Sequence, residues 1–130
     1  NTLDRTQYSL DNGTTYTSKS TFVVSAVKAY AAKHNSTIEE LRAVFPATIL
    51  KNFKRIGFIC TREEIANKAL NNGRVPTMDE KQKWYHCNDD DAWAKDSQGI
   101  DYIVCTEITK YSAQSVRDIM EADGFTVKTI

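Results

Sequence analysis

The spacing of apolar residues along the chain predicts several short amphipathic helices. Over 20–34, apolar side chains recur every three or four residues, which is typical of a helix with one buried side. Ser36 and Glu39 fit a capping box, in which each side chain bonds the other residue's backbone N–H. The helix that they open is expected to stop before Pro46, because proline disfavours helical geometry in the preceding residue.

Two more helices are predicted from residues that favour helix ends. Thr61, followed closely by two glutamates, is a typical N-cap, and Gly73 suits the position just after a helix. The polar stretch 74–81 is predicted as a surface loop. A last helix is predicted to start at Ser112 and to end at Gly124.

Short β-prone runs between these helices predict the strands. Asn-Gly at 12–13, within a β-prone stretch, is typical of a tight hairpin turn. The runs 56–60, 83–87 and 100–107 are predicted strands. The last of them is largely apolar on both faces, so we expect it at the centre of the sheet. The alternating residues 125–130 predict a closing strand.

Together these elements predict one α+β domain over residues 1–130. We expect a mostly antiparallel sheet with an N-terminal hairpin and about four helices packed on it, and a disordered start over 1–6. A length of 130 residues favours a single domain and is enough to bury a core. The segment 47–55 is left open, because its apolar residues fit either a short helix or an ordered loop.

The charge balance weighs against a domain that binds nucleic acid tightly through charge alone. The chain carries 17 basic and 17 acidic residues, so its formal net charge is zero, whereas dedicated nucleic-acid domains usually carry a basic excess. A local basic patch is still compatible with neutrality. No apolar stretch approaches the ~20 residues that cross a bilayer and no signal-peptide pattern is found, so we expect no membrane partner.

The cysteines favour a reducing environment. There are three of them with no CxxC pair, which is a poor framework for disulfides. Cys60 and Cys105 lie in apolar runs, where buried free thiols are common. We therefore expect a cytoplasmic protein.

Residues that could carry catalysis are few and scattered. His34 falls on the buried stripe of its helix, where we expect it to pack or to balance the helix dipole. His86 and Cys87 are neighbours on a predicted strand and should face opposite ways, which disfavours a zinc site or a Cys/His pair. The sequence thus leans towards a protein with no catalytic residues, metal or cofactor. A small hydrolase or metal enzyme that uses His86, Cys87 and Asp101 is the third alternative.

The best positive feature is a short basic run with one amide, Lys51, Asn52, Lys54 and Arg55. Its cations could neutralise phosphates, and the amide could contact a base edge. Trp84 is a second candidate, because an aromatic ring can stack on a base or anchor a protein partner. The competing interpretations are a solvated charged face for the run and a core position for the tryptophan.

The order of elements around this run permits a comparison with known DNA-binding motifs. If 22–34, 38–45 and 47–55 are three helices followed by strands, the order resembles a winged helix with the basic run on its recognition helix. Acidic residues at 39–40 and the neutral net charge weigh against that interpretation.

The chain as a whole also resembles a small, uncharacterised bacterial module that occurs in restriction-type and other DNA-processing proteins. The resemblance covers 8–130 and depends on apolar stripes and end signals, at Phe22–Tyr30, Thr37–Leu41, Phe45-Pro46, Gly57–Thr61, Ile103–Cys105 and Gly124-Phe125. The basic run and the acidic stretch 88–91 depart from it. No catalytic motif or site residue follows from this resemblance.

The resemblance implies a non-catalytic recognition or accessory module that contacts nucleic acid in bacterial DNA metabolism or defence. The alternative is a protein–protein interaction domain with no nucleic-acid role. A basic groove around the run 51–55 would favour the first hypothesis, and a large exposed apolar patch would favour the second.

Overall fold

The computed structural model describes residues 5–50 and 55–130. Its elements in chain order are β1 (Tyr8–Ser9), α1 (Lys19–His34), α2 (Ile38–Val44), β2 (Ile59–Thr61), α3 (Arg62–Asn67), α4 (Met78–Tyr85), β3 (Trp93–Lys95), β4 (Asp101–Val104), α5 (Lys110–Ala122) and β5 (Lys128–Thr129). Short 3-10 turns at Ala47–Ile49 and Asp90–Ala92 supplement them. The predicted α+β fold is confirmed, with two small antiparallel sheets.

The larger sheet has three antiparallel strands in the order β2-β4-β3. Tyr102 of β4 stands opposite Thr61 on one side and Ala94 on the other. The side chains of Tyr102, Ile103 and Val104 are buried. The predicted central position of the apolar strand is therefore confirmed, although the strand is shorter than the run 100–107 that predicted it.

The smaller sheet joins the start of the described chain to its end. Tyr8 and Ser9 pair antiparallel with Thr129 and Lys128, respectively. A single bridge joins Tyr8 to Thr17 across the predicted turn. Positive φ angles of 62° at Asn12 and 88° at Gly13 occur in that turn, as an Asn-Gly pair favours.

Threonine capping boxes begin α2, α3 and α4. The prediction of Thr61 as a cap is confirmed, with Glu64 as its partner. The prediction for α2 was wrong by one residue, because Thr37 and Glu40 form the box instead of Ser36 and Glu39. Ser36 is buried, and its carbonyl accepts the backbone N–H of Ser97.

The largest correction concerns residues 74–87, which are mostly helical. The predicted loop 74–81 and strand 83–87 are replaced by α4, which starts after Thr77 and ends at His86 in the left-handed conformation. Glu80 completes the capping box, and an ion pair with Arg74 lowers the pKa of its carboxyl to about 2. On this helix Trp84 and Tyr85 are both buried, because adjacent residues of a helix can both face a core.

Two helix ends also differ from their predictions. α3 ends at Asn67, and Gly73 lies in a later turn with a φ angle of 84°. α5 starts after Thr109, whose hydroxyl accepts the N–H of Ser112, so the predicted cap is the third residue of the helix. Ser112 is buried and makes a tertiary contact instead.

The core lies between the helices and the larger sheet. α1 packs along α5 and also contacts β4. Phe45, at the end of α2, makes an edge contact with Tyr30 and lies near Phe58. These contacts join α1, α2 and the sheet into one core.

A buried carboxylate links α2 to the turn between β3 and β4. Asp96 accepts the backbone N–H of Ile38 at 3.0 Å, of Gln98 at 2.9 Å and of Ile100 at 2.8 Å. Burial alone would raise the pKa of this carboxyl, but the three hydrogen bonds outweigh it and the pKa is lowered. The predicted turn at 96–99 is confirmed, with Gly99 at a φ angle of 78°.

Candidate nucleic-acid interface

The segment 41–62 carries five basic residues and no acidic residue, although the whole chain is neutral. Two of the five are paired in the structure, since Arg42 bonds Glu64 and Arg62 bonds Asp101. Lys51, Lys54 and Arg55 complete the five. Lys51, Asn52 and Lys54 lie outside the described residues, so the site is built from the residues that flank them.

The residues just before the basic run 51–55 form a turn that is anchored to α5. The Ser112 hydroxyl in the first turn of α5 donates a 2.7 Å hydrogen bond to the carbonyl of Ile49. Ile49 and Leu50 are both buried. Ile49 and Leu50, which precede the basic run, are therefore fixed against the beginning of α5.

The predicted recognition helix is not formed in the described part of 47–55. Ala47–Ile49 is a single 3-10 turn, and Leu50 after it is extended, with a ψ angle of 104°. The short helix that begins at Ala47 therefore ends at Ile49. The rest of that predicted helix, 51–54, lies outside the described residues.

Arg55 is the last residue of the basic run, and its guanidinium lies 4.5 Å from the centroid of the Trp84 ring. Trp84 is only 6% exposed, so the Arg55 guanidinium packs on a ring that belongs to the core. The Trp84 carbonyl accepts both the backbone N–H and the hydroxyl of Thr106. The packing that holds Arg55 in place thus extends to the chain that follows β4.

Lys110 and Tyr111, which the sequence analysis missed, lie beside this anchored segment. They immediately precede Ser112, which holds Ile49. Both side chains are exposed, and Tyr111 is 63% exposed. Within the described parts of the chain, Lys110 makes no ion pair. Because Ser112 was predicted as the cap of this helix, these two residues lay before the predicted element and were not considered as site residues.

We use the name basic face for the cations of the basic run, Lys51, Lys54 and Arg55, taken together with Lys110 and Tyr111; of these the structure places Arg55, Lys110 and Tyr111, and Lys51 and Lys54 lie outside the described residues. Glu107 is the acidic residue nearest to its α5 part in the sequence. Four of the five residues are cations, in a protein whose net charge is zero.

Two of the three cysteines, Cys60 and Cys105, are held in the thiol form. Cys60 and Cys105 are buried, as predicted, and burial raises the pKa of each thiol to about 12. Because the thiolate is the nucleophilic form, these cysteines are unreactive near neutral pH. Cys87 is half-buried, next to the exposed His86.

The histidines make surface ion pairs. His34 is 39% exposed, so its predicted place on the buried stripe was wrong, but it lies in the last turn of α1 with its ring 4.4 Å from that of Tyr30 and bonds Asp123 at 2.8 Å. His34 and Lys33 together lower the pKa of the Asp123 carboxyl. His86 lies 4.0 Å from Asp89. Among the residues of 5–50 and 55–130, no three His, Cys, Asp or Glu side chains converge as metal ligands.

Asp101, which was considered for an enzymatic role, is an ion-pair partner. Its two carboxylate oxygens bond Lys95 at 2.8 Å and Arg62 at 2.6 Å. These two cations lower the pKa of the carboxyl. The Arg62 guanidinium also lies 4.2 Å from the centroid of the Trp93 ring. The arrangement joins the three strands where β2 and β3 end and β4 begins.

Comparison with known proteins gives no relative, since no family model, curated protein or solved structure matches the chain. Within the described helices, none has the length and apolar character that a bilayer crossing needs.

Proposed function

We propose that this protein is a recognition module that binds nucleic acid through the basic face. The main supporting observation is that the residues on both sides of 51–54 are fixed to the core. Ser112 bonds Ile49 on one side, and Arg55 packs on Trp84 on the other. A cation held against the core, as Arg55 is, loses less freedom on binding than a cation on a free tail. The process is the one that the resemblance implies, bacterial DNA metabolism or defence.

Charge supports a phosphate backbone as the ligand. Phosphate contacts by lysine and arginine supply most sequence-independent affinity for nucleic acids. Arginine binds phosphate oxygens through paired hydrogen bonds. The proposal assigns this role to Arg55, with Lys51, Lys54 and Lys110 as point charges around it. The buried, free thiols of Cys60 and Cys105 support the cytoplasmic location that goes with it.

Replacing Lys51 and Lys54 together by alanine should weaken binding to a labelled 20-nucleotide strand by at least about tenfold at low salt. Fluorescence anisotropy over a series of salt concentrations measures this effect. The slope of log K against log salt should become shallower by about 1.4, because each lost phosphate contact accounts for about 0.7 on a single strand. Arg55 is kept in this variant because it covers Trp84.

The control variant, Lys28→Ala/Lys128→Ala, removes the same charge from α1 and β5. It should keep the wild-type slope. Absence of binding by the wild-type protein at low salt would refute a nucleic-acid role for this chain. Equal slopes for all three proteins would show that binding occurs away from the basic face.

A further inference from the structure

We infer that a slot between α1 and the β3–β4 hairpin is a binding site for a small monocarboxylate. The slot has a volume of about 340 Å³, which lies within the usual size range of small-molecule pockets. It shares no residue with the basic face, so this inference goes beyond the proposed function and does not depend on it.

The slot exists because small side chains line it where the helix passes the sheet. Ala31 and Ala32 of α1 line one wall, and Ala94 of β3 lines the other. A hydrogen bond joins the two walls, since the backbone N–H of Ser97 donates to the carbonyl of Ser36 at 3.0 Å. The slot is therefore framed by backbone that the fold holds in place, with methyl groups on its walls.

The observation that points to a ligand is the hydroxyl of Tyr102, a residue that lines the slot and is only 2% exposed. Tyr102 stands directly opposite Ala94, so the two side chains lie on the same face of the sheet. Within the described residues the Tyr102 hydroxyl forms no hydrogen bond. Buried polar groups are nearly always hydrogen-bonded in folded proteins, so this hydroxyl has a bonding position left for a bound molecule.

The side chains that the slot offers to a ligand are hydrogen-bond donors. Burial, and to a lesser extent the charge of Asp96, raise the pKa of Tyr102, so its hydroxyl keeps its proton. Lys28 also lines the slot, and in the described parts of the chain its ammonium makes no ion pair and bonds the Asp91 carbonyl at 3.5 Å. Asp96 lines the slot too, but its oxygens already accept three backbone N–H groups.

The edge of the sheet adds a backbone donor. The N–H of Asp96 bonds the carbonyl of Ile100 at 2.9 Å, so these two residues are a hydrogen-bonded pair of the β3–β4 ladder. Because such pairs alternate along an antiparallel ladder, the N–H of Lys95 points away from β4. No other described strand pairs with β3 on that side. Lys95 lines the slot, and we assign its N–H as a second donor to the ligand; its ammonium is paired with Asp101.

These donors select a ligand that offers acceptor oxygens. A carboxylate accepts hydrogen bonds through both oxygens, and its charge complements the Lys28 ammonium. The alanine methyl groups suit a compact apolar body on the same molecule. Benzoate and hexanoate combine these two features in different shapes.

The test follows amide chemical shifts of the ¹⁵N-labelled protein as benzoate or hexanoate is added. Both acids should shift the amides of Ala32, Ala94 and Lys95, with a dissociation constant of about 1 mM or below. Benzylamine, which has an aromatic ring and the opposite charge, should leave these amides unchanged. Unchanged amides with either acid at about ten times that concentration, or equal shifts with benzylamine, would overturn the inference.

Two matched variants test the role of the buried hydroxyl. Tyr102→Phe should weaken benzoate binding by about tenfold or more, as expected for loss of a hydrogen bond to a charged group. Tyr111→Phe removes a hydroxyl from a residue that is 63% exposed and lies outside the slot, and it should bind like the wild type. The melting curve of Tyr102→Phe should match the wild-type curve, because the hydroxyl has no partner within the described residues. Equal binding by the two variants, or a clear loss of stability in Tyr102→Phe, would contradict the assignment of this hydroxyl to a ligand.

Discussion

Replacement of Asp96 by alanine should destabilise the protein by about 3–5 kcal/mol. The Asp96 carboxylate accepts three backbone N–H groups, from Ile38, Gln98 and Ile100, and the residue is only 7% exposed. Each hydrogen bond to a charged group contributes about 1.5–3 kcal/mol, and an orphaned buried donor adds its desolvation cost. Since a domain of this size has a total stability of about 5–15 kcal/mol, the loss would be a large fraction of it. Urea unfolding measures the change.

Two comparisons make the Asp96 prediction specific. Asp91→Ala removes an exposed carboxylate nearby in the sequence and should change stability by less than about 0.5 kcal/mol. Asp96→Asn keeps one carbonyl oxygen as an acceptor and should lose less than the alanine variant. If Asp96→Ala cost no more than Asp91→Ala, the three hydrogen bonds would not contribute as described.

The same carboxylate gives wild-type stability a dependence on acid pH. Its pKa is lowered in the folded protein, so folding favours the charged form. The stabilisation is fully present above the unfolded pKa of about 3.9 and is lost as the pH falls through the lower folded pKa. Asp96→Asn should therefore lose less stability than wild type over that acid range.

Replacement of Phe45 by alanine should destabilise the protein by about 3–5 kcal/mol. Phe45 is 1% exposed, and its ring centroid lies 5.4 Å from that of Tyr30 and 6.4 Å from that of Phe58. The substitution removes a buried ring and leaves a cavity where α1, α2 and the sheet meet. Phe45→Leu, which fills part of that space, should lose less, as measured by urea unfolding.

A surface substitution provides the reference for Phe45. Ile100 is 44% exposed, so Ile100→Ala should cost less than about 1 kcal/mol. A similar cost for Phe45→Ala and Ile100→Ala would mean that the aromatic cluster is not a main part of the core.

Helices with a regular apolar stripe were predictable from the sequence. The stripe of α1 and the proline after Phe45 placed α1 and the end of α2 within a residue or so. Both features act locally, because an apolar stripe needs a core on one side and proline restricts the residue before it. Exact caps were harder, because Ser36 and Thr37 offer two overlapping capping boxes and tertiary contacts choose between them.

The error over α4 has a physical cause. The β-prone pair Trp84-Tyr85 outweighed the capping box of Thr77 and Glu80, which was present in the sequence and pointed to a helix. A strand would have put these two rings on opposite faces, whereas the helix buries both. Burial of aromatic side chains, which depends on the whole fold, overrode their local preference.

The candidate site was only partly visible in the sequence. The basic run is a feature of composition, so Lys51, Lys54 and Arg55 were found directly. Lys110 and Tyr111 join it through the hydrogen bond from Ser112 to Ile49, which links residues 63 positions apart. Neither the stacking of Arg55 on Trp84 nor this long-range bond follows from a local pattern.

The most direct test of the basic face is a map of amide chemical shifts in the ¹⁵N-labelled protein as a 12-nucleotide single strand is added. We expect the largest changes at Ile49, Leu50, Arg55, Lys110 and Tyr111, with little change in the β1–β5 sheet. Changes confined to the β1–β5 sheet, or none at a saturating concentration of the strand, would contradict the assignment of this face as a nucleic-acid interface.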